Sequence, residues 1–138
     1  HQSLLYDELT GKENLSFYLR LYGCRDRETA RQLIVDKSSL FGIEARLDDP
    51  VGTLSSGQRK RLDIIRATIH GPRLLLLDEP LAGLDSEGLE YFKNFLKNAK
   101  KKSTIMFSTH SLEVAHEISN RICTLKEGRL AELRYAKR

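Results

Sequence analysis

Residues 74–80 read LLLLDEP, and the way that stretch is read decides the fold. Four leucines between Pro72 and Pro80 are too few and too uniformly apolar for a surface helix. They predict a strand buried on both faces, the mark of a parallel sheet. Asp78 and Glu79 then close the strand with two adjacent carboxylates, which gain nothing from burial. In open α/β sheets ligands bind beyond the carboxyl ends of the strands, so the pair stands where a ligand is expected.

Downstream, the pattern repeats. A helix is predicted from about Ser86 to Lys101, with Leu89, Phe92, Phe95 and Leu96 inside, and "STIMFST" (103–109) reads as a second buried strand. Thr109 and His110 end that strand, so neighbouring strands present Asp, Glu and His at one rim, a set suited to acid–base and metal chemistry. "SLEVAHEIS" reads as a short helix, and "RICTLKEGRLAEL" as two strands joined at Glu127-Gly128. Strand, helix, strand, helix in this order is an α/β arrangement.

Upstream, the chain is helical. Leu15, Tyr18, Leu19 and Tyr22 recur at helical spacing over residues 12–22, with Thr10 as N-cap, Glu13 as its capping-box partner and Gly23 at the end. A second helix fits "DRETARQLIVDKSSLFG" (26–42), and "IEARLDDPVGTL" (43–54) reads as connection. In "SSGQRKRLDIIRATIH" (55–70), Ser55 is the N-cap. Leu62, Ile65 and Ile69, with Ile64 beside them, form the apolar stripe, and Arg59, Lys60, Arg61 and Asp63 are expected to face out. The first part, about 8–71, is thus a helical layer, and about 72–138 the α/β part.

With 138 residues, 40% hydrophobic and 30% charged, the chain is the size of one domain of about 100–200 residues. Its longest apolar run, Leu74–Leu77, excludes a membrane-spanning helix, which needs about 20 such residues. No secretory signal opens the chain, and Cys24 and Cys123, isolated and without metal spacing, read as reduced thiols of a cytosolic protein. The formal charge of +4 gathers in Arg59–Arg61, Lys97 and Lys100–Lys102, and the terminal "RYAKR". Such groups can meet nucleic acid or anionic lipid, and are more often a solvated helix face.

Each candidate taken alone has a plain structural reading. "DEP" can cap the helix after Pro80, His110 can start a helix or sit satisfied in a core, and "SSGQ" can be a turn and cap. Gly57 argues for more, because a glycine in the first helical turn leaves the backbone open to close approach. The series decides. "LSSGQ" (54–58) resembles the signature motif of ABC-type ATPases, "LLLLDEP" the Walker B strand with its catalytic glutamate, "AGLD" (82–85) the D-loop and "STH" (108–110) the H-switch. The likeness covers Leu5 to about Leu133, and "LYDELTGKENLSFYLRLYG" (5–23) is similar to the segment after the Q-loop. The "HQ" opening resembles the haem-exporter branch.

The resemblance implies a P-loop NTPase-type α/β core with parallel strands, flanked by helices and joined to an N-terminal helical subdomain. It implies ATP and Mg²⁺ as cofactors, with the ATP hydrolysed at a head-to-tail dimer interface. Asp78 would hold Mg²⁺ through water, Glu79 polarise the attacking water and His110 contact the γ-phosphate. Gln2, or His1 in its place, would be the Q-loop residue that senses Mg²⁺. Ser55, Ser56, Gly57 and Gln58 would bind the ATP of the second ATP-binding subunit, and Asp85 would couple the two sites. Transmembrane permease subunits are the implied partners, with no nucleic acid, and the inner face of the cell membrane the implied location.

Two departures stand out. Ser56 replaces the first glycine of the usual signature, and no G-x-x-x-x-G-K-[ST] occurs, so the chain resembles the C-terminal two-thirds of such a domain. Without that cradle, the chain alone is expected to bind ATP weakly or not at all. A chromosome- or repair-type ABC ATPase would carry a long coiled coil, and no sustained heptad run appears. A ribosome-associated ABC ATPase would pair two cassettes, and an inert module stands as the third alternative.

Overall fold

The computed structural model describes residues 3–135. Helix α1 (Gly11–Leu21) begins with the expected capping box. Thr10 Oγ1 accepts from the Glu13 N–H at 3.1 Å, and Glu13 Oε2 accepts from the Thr10 N–H at 2.8 Å. That backbone hydrogen bond holds the Glu13 carboxyl below the usual carboxylate range. Helix α2 (Arg27–Leu40) is capped by Asp26, whose carboxylate accepts from the Thr29 N–H at 2.7 Å; hydrogen bonding from the Thr29 side chain, and then from that N–H, lowers its pKa too. The stretch read as connection holds two short 3₁₀ turns, Glu44–Arg46 and Val51–Thr53, before helix α3 (Ser56–Thr68).

Strand β1 (Leu74–Leu77) pairs in parallel with β2 (Thr104–Phe107), and helix α4 (Ser86–Ala99) makes the crossover. Helix α5 (Leu112–Ile118) follows, then β3 (Arg121–Lys126) and β4 (Arg129–Tyr135), an antiparallel hairpin. Its two-residue turn has positive φ at both Glu127 (52°) and Gly128 (73°), the geometry that suits the twist of paired strands.

One apolar core joins the helical layer to the α/β part. Leu15, Leu62, Ile65, Leu75 and Phe92 belong to it, and the Phe41 and Phe95 rings meet across it at 5.5 Å. Asn14 is fully buried on α1 and explains the path of the preceding segment. Its Nδ2 donates to the carbonyls of Tyr6, Leu9 and Thr10, and its Oδ1 accepts from the Tyr6 N–H at 2.8 Å.

Two expectations are corrected. β1 is covered on one face only: Leu75 is buried, whereas Leu74, Leu76 and Met106 of β2 are 59%, 66% and 65% exposed. Among the described residues this sheet has two strands, and its helices pack on a single side. Arg61 does not face out but is 5% exposed, because three chain segments supply oxygens and a ring around it.

Candidate functional site

The parallel register of β1 and β2 sets Leu77 beside Phe107, so the next residues of each strand leave the sheet together. The Ser108 N–H donates to the Leu77 carbonyl at 3.0 Å, extending the ladder by one step. Ser108 Oγ donates to Asp78 Oδ1 at 2.6 Å and accepts from the Glu79 N–H at 2.8 Å. One hydroxyl therefore ties the Asp78 carboxylate to the backbone of Glu79. Asp78 stays exposed and Glu79 is partly so, which removes the apparent conflict of charges after a run of leucines.

Glu79 has φ of 44°, in the left-handed region that a non-glycine residue adopts at a cost of about 1–3 kcal/mol. Its peptide is held at both ends: the N–H by Ser108, and the carbonyl by the Ala82 N–H at 3.2 Å and Lys60 Nζ at 3.3 Å. The Glu79 side chain turns toward His110, whose Nε2 lies 3.1 Å from Oε1 and can pair with it when protonated. The His110 side chain is 96% exposed, so that pair stands open at the rim.

The second group forms around the start of α3. Ser55 Oγ accepts from the Gln58 N–H at 3.2 Å, and Gln58 Oε1 accepts from the Ser55 N–H at 2.9 Å, a second capping box. These two side chains are thus occupied with the helix end itself, while Ser56 is exposed. Gly57 is buried against the loop before α4: a Cβ there would lie 3.5 Å from Asp85 Oδ2 and 3.6 Å from the Gly83 carbonyl. Asp85 caps α4, its Oδ1 accepting from the Gly88 N–H at 2.7 Å, and Oδ2 lies 3.6 Å from Arg61 Nη2. Arg61 also approaches Glu87 at 3.9 Å, donates to the Phe41 carbonyl at 3.3 Å and lies over the Tyr91 ring.

The structure therefore brings Asp78, Glu79 and His110 together, and of the residues at the start of α3 it sets Gly57 beside Asp85. Gln2, and His1 as its alternative, lie outside the described residues. Ser108, Lys60 and Arg61 were not singled out by the sequence reading. A signal existed for the two cations: Lys60 and Arg61 stand four residues before the buried Ile64 and Ile65, so each shares a face with the core. Ser108 offered none beyond its place in "STH".

The family model described as ABC transporter matches residues 1–82. The chain belongs to the ABC transporter family. It is 37% identical over 125 residues to the ABC transporter ATP-binding protein NatA of Bacillus subtilis (strain 168), which covers 90% of this chain and 50% of that protein. It is 32% identical to the spermidine/putrescine import ATP-binding protein PotA of Lawsonia intracellularis, covering 94% of this chain and 35% of that one. Among solved structures, a dimeric ATP-binding cassette in a post-hydrolysis state bound to ADP and Pi superposes with a TM-score of 0.86. The identity there is 27%, over 99% of this chain and 61% of that one. The fold is that of an ABC ATPase domain, and the chain spans half or less of the length of these curated relatives.

ABC ATPases bind ATP, and the rim suits a Mg²⁺ ion that accompanies it. Mg²⁺ takes one or two carboxylates and keeps several waters, which the exposed, hydroxyl-organised Asp78 can supply. Among the described residues no group of three or more His, Cys, Asp and Glu side chains could hold a metal by itself. No described helix is long and apolar enough to cross a membrane.

Proposed function

We propose that this chain carries the water-activating and signature elements of an ATP-hydrolysing subunit that powers a membrane transporter through transmembrane permease partners. The observation that carries the reading is the rim itself. Asp78, Glu79 and His110 meet where two parallel strands end, with Ser108 bonded to both acidic residues and His110 at 3.1 Å from Glu79. Relatives named as transporter ATP-binding proteins support it.

In this reading Asp78 would hold Mg²⁺ through water, and the ion would supply charge compensation for the phosphate oxygens. Glu79 accepts a proton from the water that attacks the γ-phosphorus, so that ATP and water become ADP and phosphate. His110 leaves Glu79 for the γ-phosphate, freeing the carboxylate for that water. Ser55, Ser56, Gly57 and Gln58 address the ATP of a second ATP-binding subunit, since the capping box takes the N–H groups of Ser55 and Gln58 and leaves those of Ser56 and Gly57 outside it, at the positive dipole end of α3. Asp85, in contact with α3 and α4 at once, couples the two sites of the dimer. Gln2, or His1 in its place, would be the Q-loop residue that senses Mg²⁺.

The division near residue 71, helical subdomain before and α/β part after, belongs to the same proposal. So does the covering of Leu74, Leu76 and Met106 by the phosphate-cradle part of the domain, since NatA is twice as long as the stretch it shares with this chain. In this reading the subunit sits on the cytoplasmic face of the membrane against its permease. Glu79→Gln in the full-length polypeptide tests the assignment: steady-state ATP hydrolysis should fall by about 10²–10⁴-fold, the usual worth of a positioned base, with Mg-ATP binding retained. Hydrolysis at the unmodified rate would remove Glu79 from its role.

A further inference from the structure

Lys60 stands on α3 one turn beyond the signature residues, yet its ammonium reaches a different motif. Nζ donates to the carbonyl of Glu79 at 3.3 Å, 19 residues away in sequence. From this contact we propose that Lys60 is a positioning residue for Glu79, and that through it the signature helix sets the geometry of its own chain's base. The inference rests on the ATPase reading above and deepens it.

Three observations converge. Glu79 is one of two described non-glycine residues with positive φ, at 44°, so its backbone needs outside support to stay there. Support comes from the two sides of the peptide: Ser108 Oγ takes the N–H at 2.8 Å, and Lys60 shares the carbonyl with the Ala82 N–H. An ammonium on a carbonyl oxygen is a charge-assisted bond, stronger than the neutral one beside it. The helix that carries Lys60 is a short rigid rod anchored in the core by Leu62, Ile64 and Ile65. Gly57 and Lys60 are a single turn apart on it, so an anion seated at the N-terminus of α3 and the Glu79 carbonyl are tied to the same body. Ser108 fixes Glu79 to the strand rim, and Lys60 fixes it to the signature helix. When the second subunit's nucleotide draws α3, the carbonyl of Glu79 is drawn with it, and the carboxylate is re-aimed toward or away from its water.

The test uses Lys60→Met, which keeps the stem and removes the charge, and Lys60→Arg, which restores a donor, in the full-length polypeptide with and without Glu79→Gln. Misplacing a catalytic group by about 1 Å costs up to about 10²-fold, so Lys60→Met should lower kcat by about 10- to 100-fold. KM for ATP and the melting temperature should stay close to those of the unmodified protein, because the loss is confined to the transition state. Lys60→Arg should recover most of the rate. In the Glu79→Gln background, Lys60→Met should cause no further loss, since a residue that acts only through Glu79 has nothing left to position. A kcat within twofold of the unmodified value, or an undiminished further loss beside Glu79→Gln, overturns the role of Lys60 while leaving the ATPase reading intact. Full hydrolysis by Glu79→Gln alone overturns both.

Discussion

Gly57→Ala separates the needs of this chain from those of a ligand. Gly57 is the second residue of α3, and its φ is not in the left-handed region, so alanine is allowed there. A Cβ would meet Asp85 Oδ2 at 3.5 Å and the Gly83 carbonyl at 3.6 Å, ordinary van der Waals contacts. Alanine gains up to about 1 kcal/mol over glycine inside a helix, and less in the first turn, so stability should change by no more than about 0.5 kcal/mol. For a domain of this size that is a shift of about 1–4 °C in melting temperature. In the proposed function a phosphate of the second subunit's ATP reaches the N–H groups at this helix end, and a methyl set between α3 and the loop carrying Gly83 and Asp85 shifts those groups away from it. A charge-assisted hydrogen bond is worth about 1.5–3 kcal/mol, so losing one lowers affinity or rate by about 10- to 100-fold. The assay is ATP hydrolysis by the full-length polypeptide across ATP concentrations, run beside thermal unfolding. Hydrolysis within twofold of the unmodified protein would refute the role of this helix end. A fall in melting temperature well beyond that window would instead refute the packing described around Gly57.

Two further outcomes bear on the scaffold. Arg61→Met should destabilise by about 2 kcal/mol: it removes charge-assisted bonds to the Phe41 and Gly42 carbonyls, while Asp85 and Glu87 are exposed enough to regain water. Equilibrium urea unfolding measures it, and a change below about 0.5 kcal/mol would show that the buried guanidinium is not holding those segments together. His70 is stacked on Tyr22, its Nδ1 is buried without a protein partner, and burial, with Arg66 nearby, lowers its pKa from 6.5. The unfolded chain therefore takes up this proton first as pH falls. The group's contribution is complete above pH 6.5 and declines below it until the folded state protonates too. His70→Phe should flatten that part of the stability profile between neutral and mildly acidic pH, and an unchanged slope in unfolding midpoints would count against it.

Local signals in this sequence were readable where the partner lies within a turn or two. Thr10 with Glu13, Ser55 at the start of α3, and the Glu127-Gly128 turn involve residues two or three positions apart, and each forms as expected. The uniform run Leu74–Leu77 carries no alternation, so it cannot tell one covered face from two, and what packs on each side decides the matter. Arg61 was misplaced for a related reason. A charged residue between Lys60 and Leu62 looks solvated until Phe41, Asp85 and Glu87, each at least 20 positions away, are brought around it. The rim residues were legible because strand ends are where ligands go in this class of sheet. What joins them was not, since Ser108 and Lys60 act through single hydrogen bonds that no spacing rule announces.

Glu79 brings these threads to one point. Its backbone conformation is one that glycine adopts without strain, so the turn does not itself ask for a carboxylate. Nor does burial, since the side chain is 26% exposed and its neighbour His110 almost wholly so. A residue type that neither the turn nor the core favours, held in place by a strand-end hydroxyl on one side and a helix-borne ammonium on the other, is arranged for something outside the fold. The leucines before it supply a platform on which small displacements matter, because Leu75 anchors β1 in a core continuous with α3. A shift of α3 therefore has two routes to the same carboxylate, through the packed strand and through Lys60. Only the second can be cut by a substitution that leaves the core untouched.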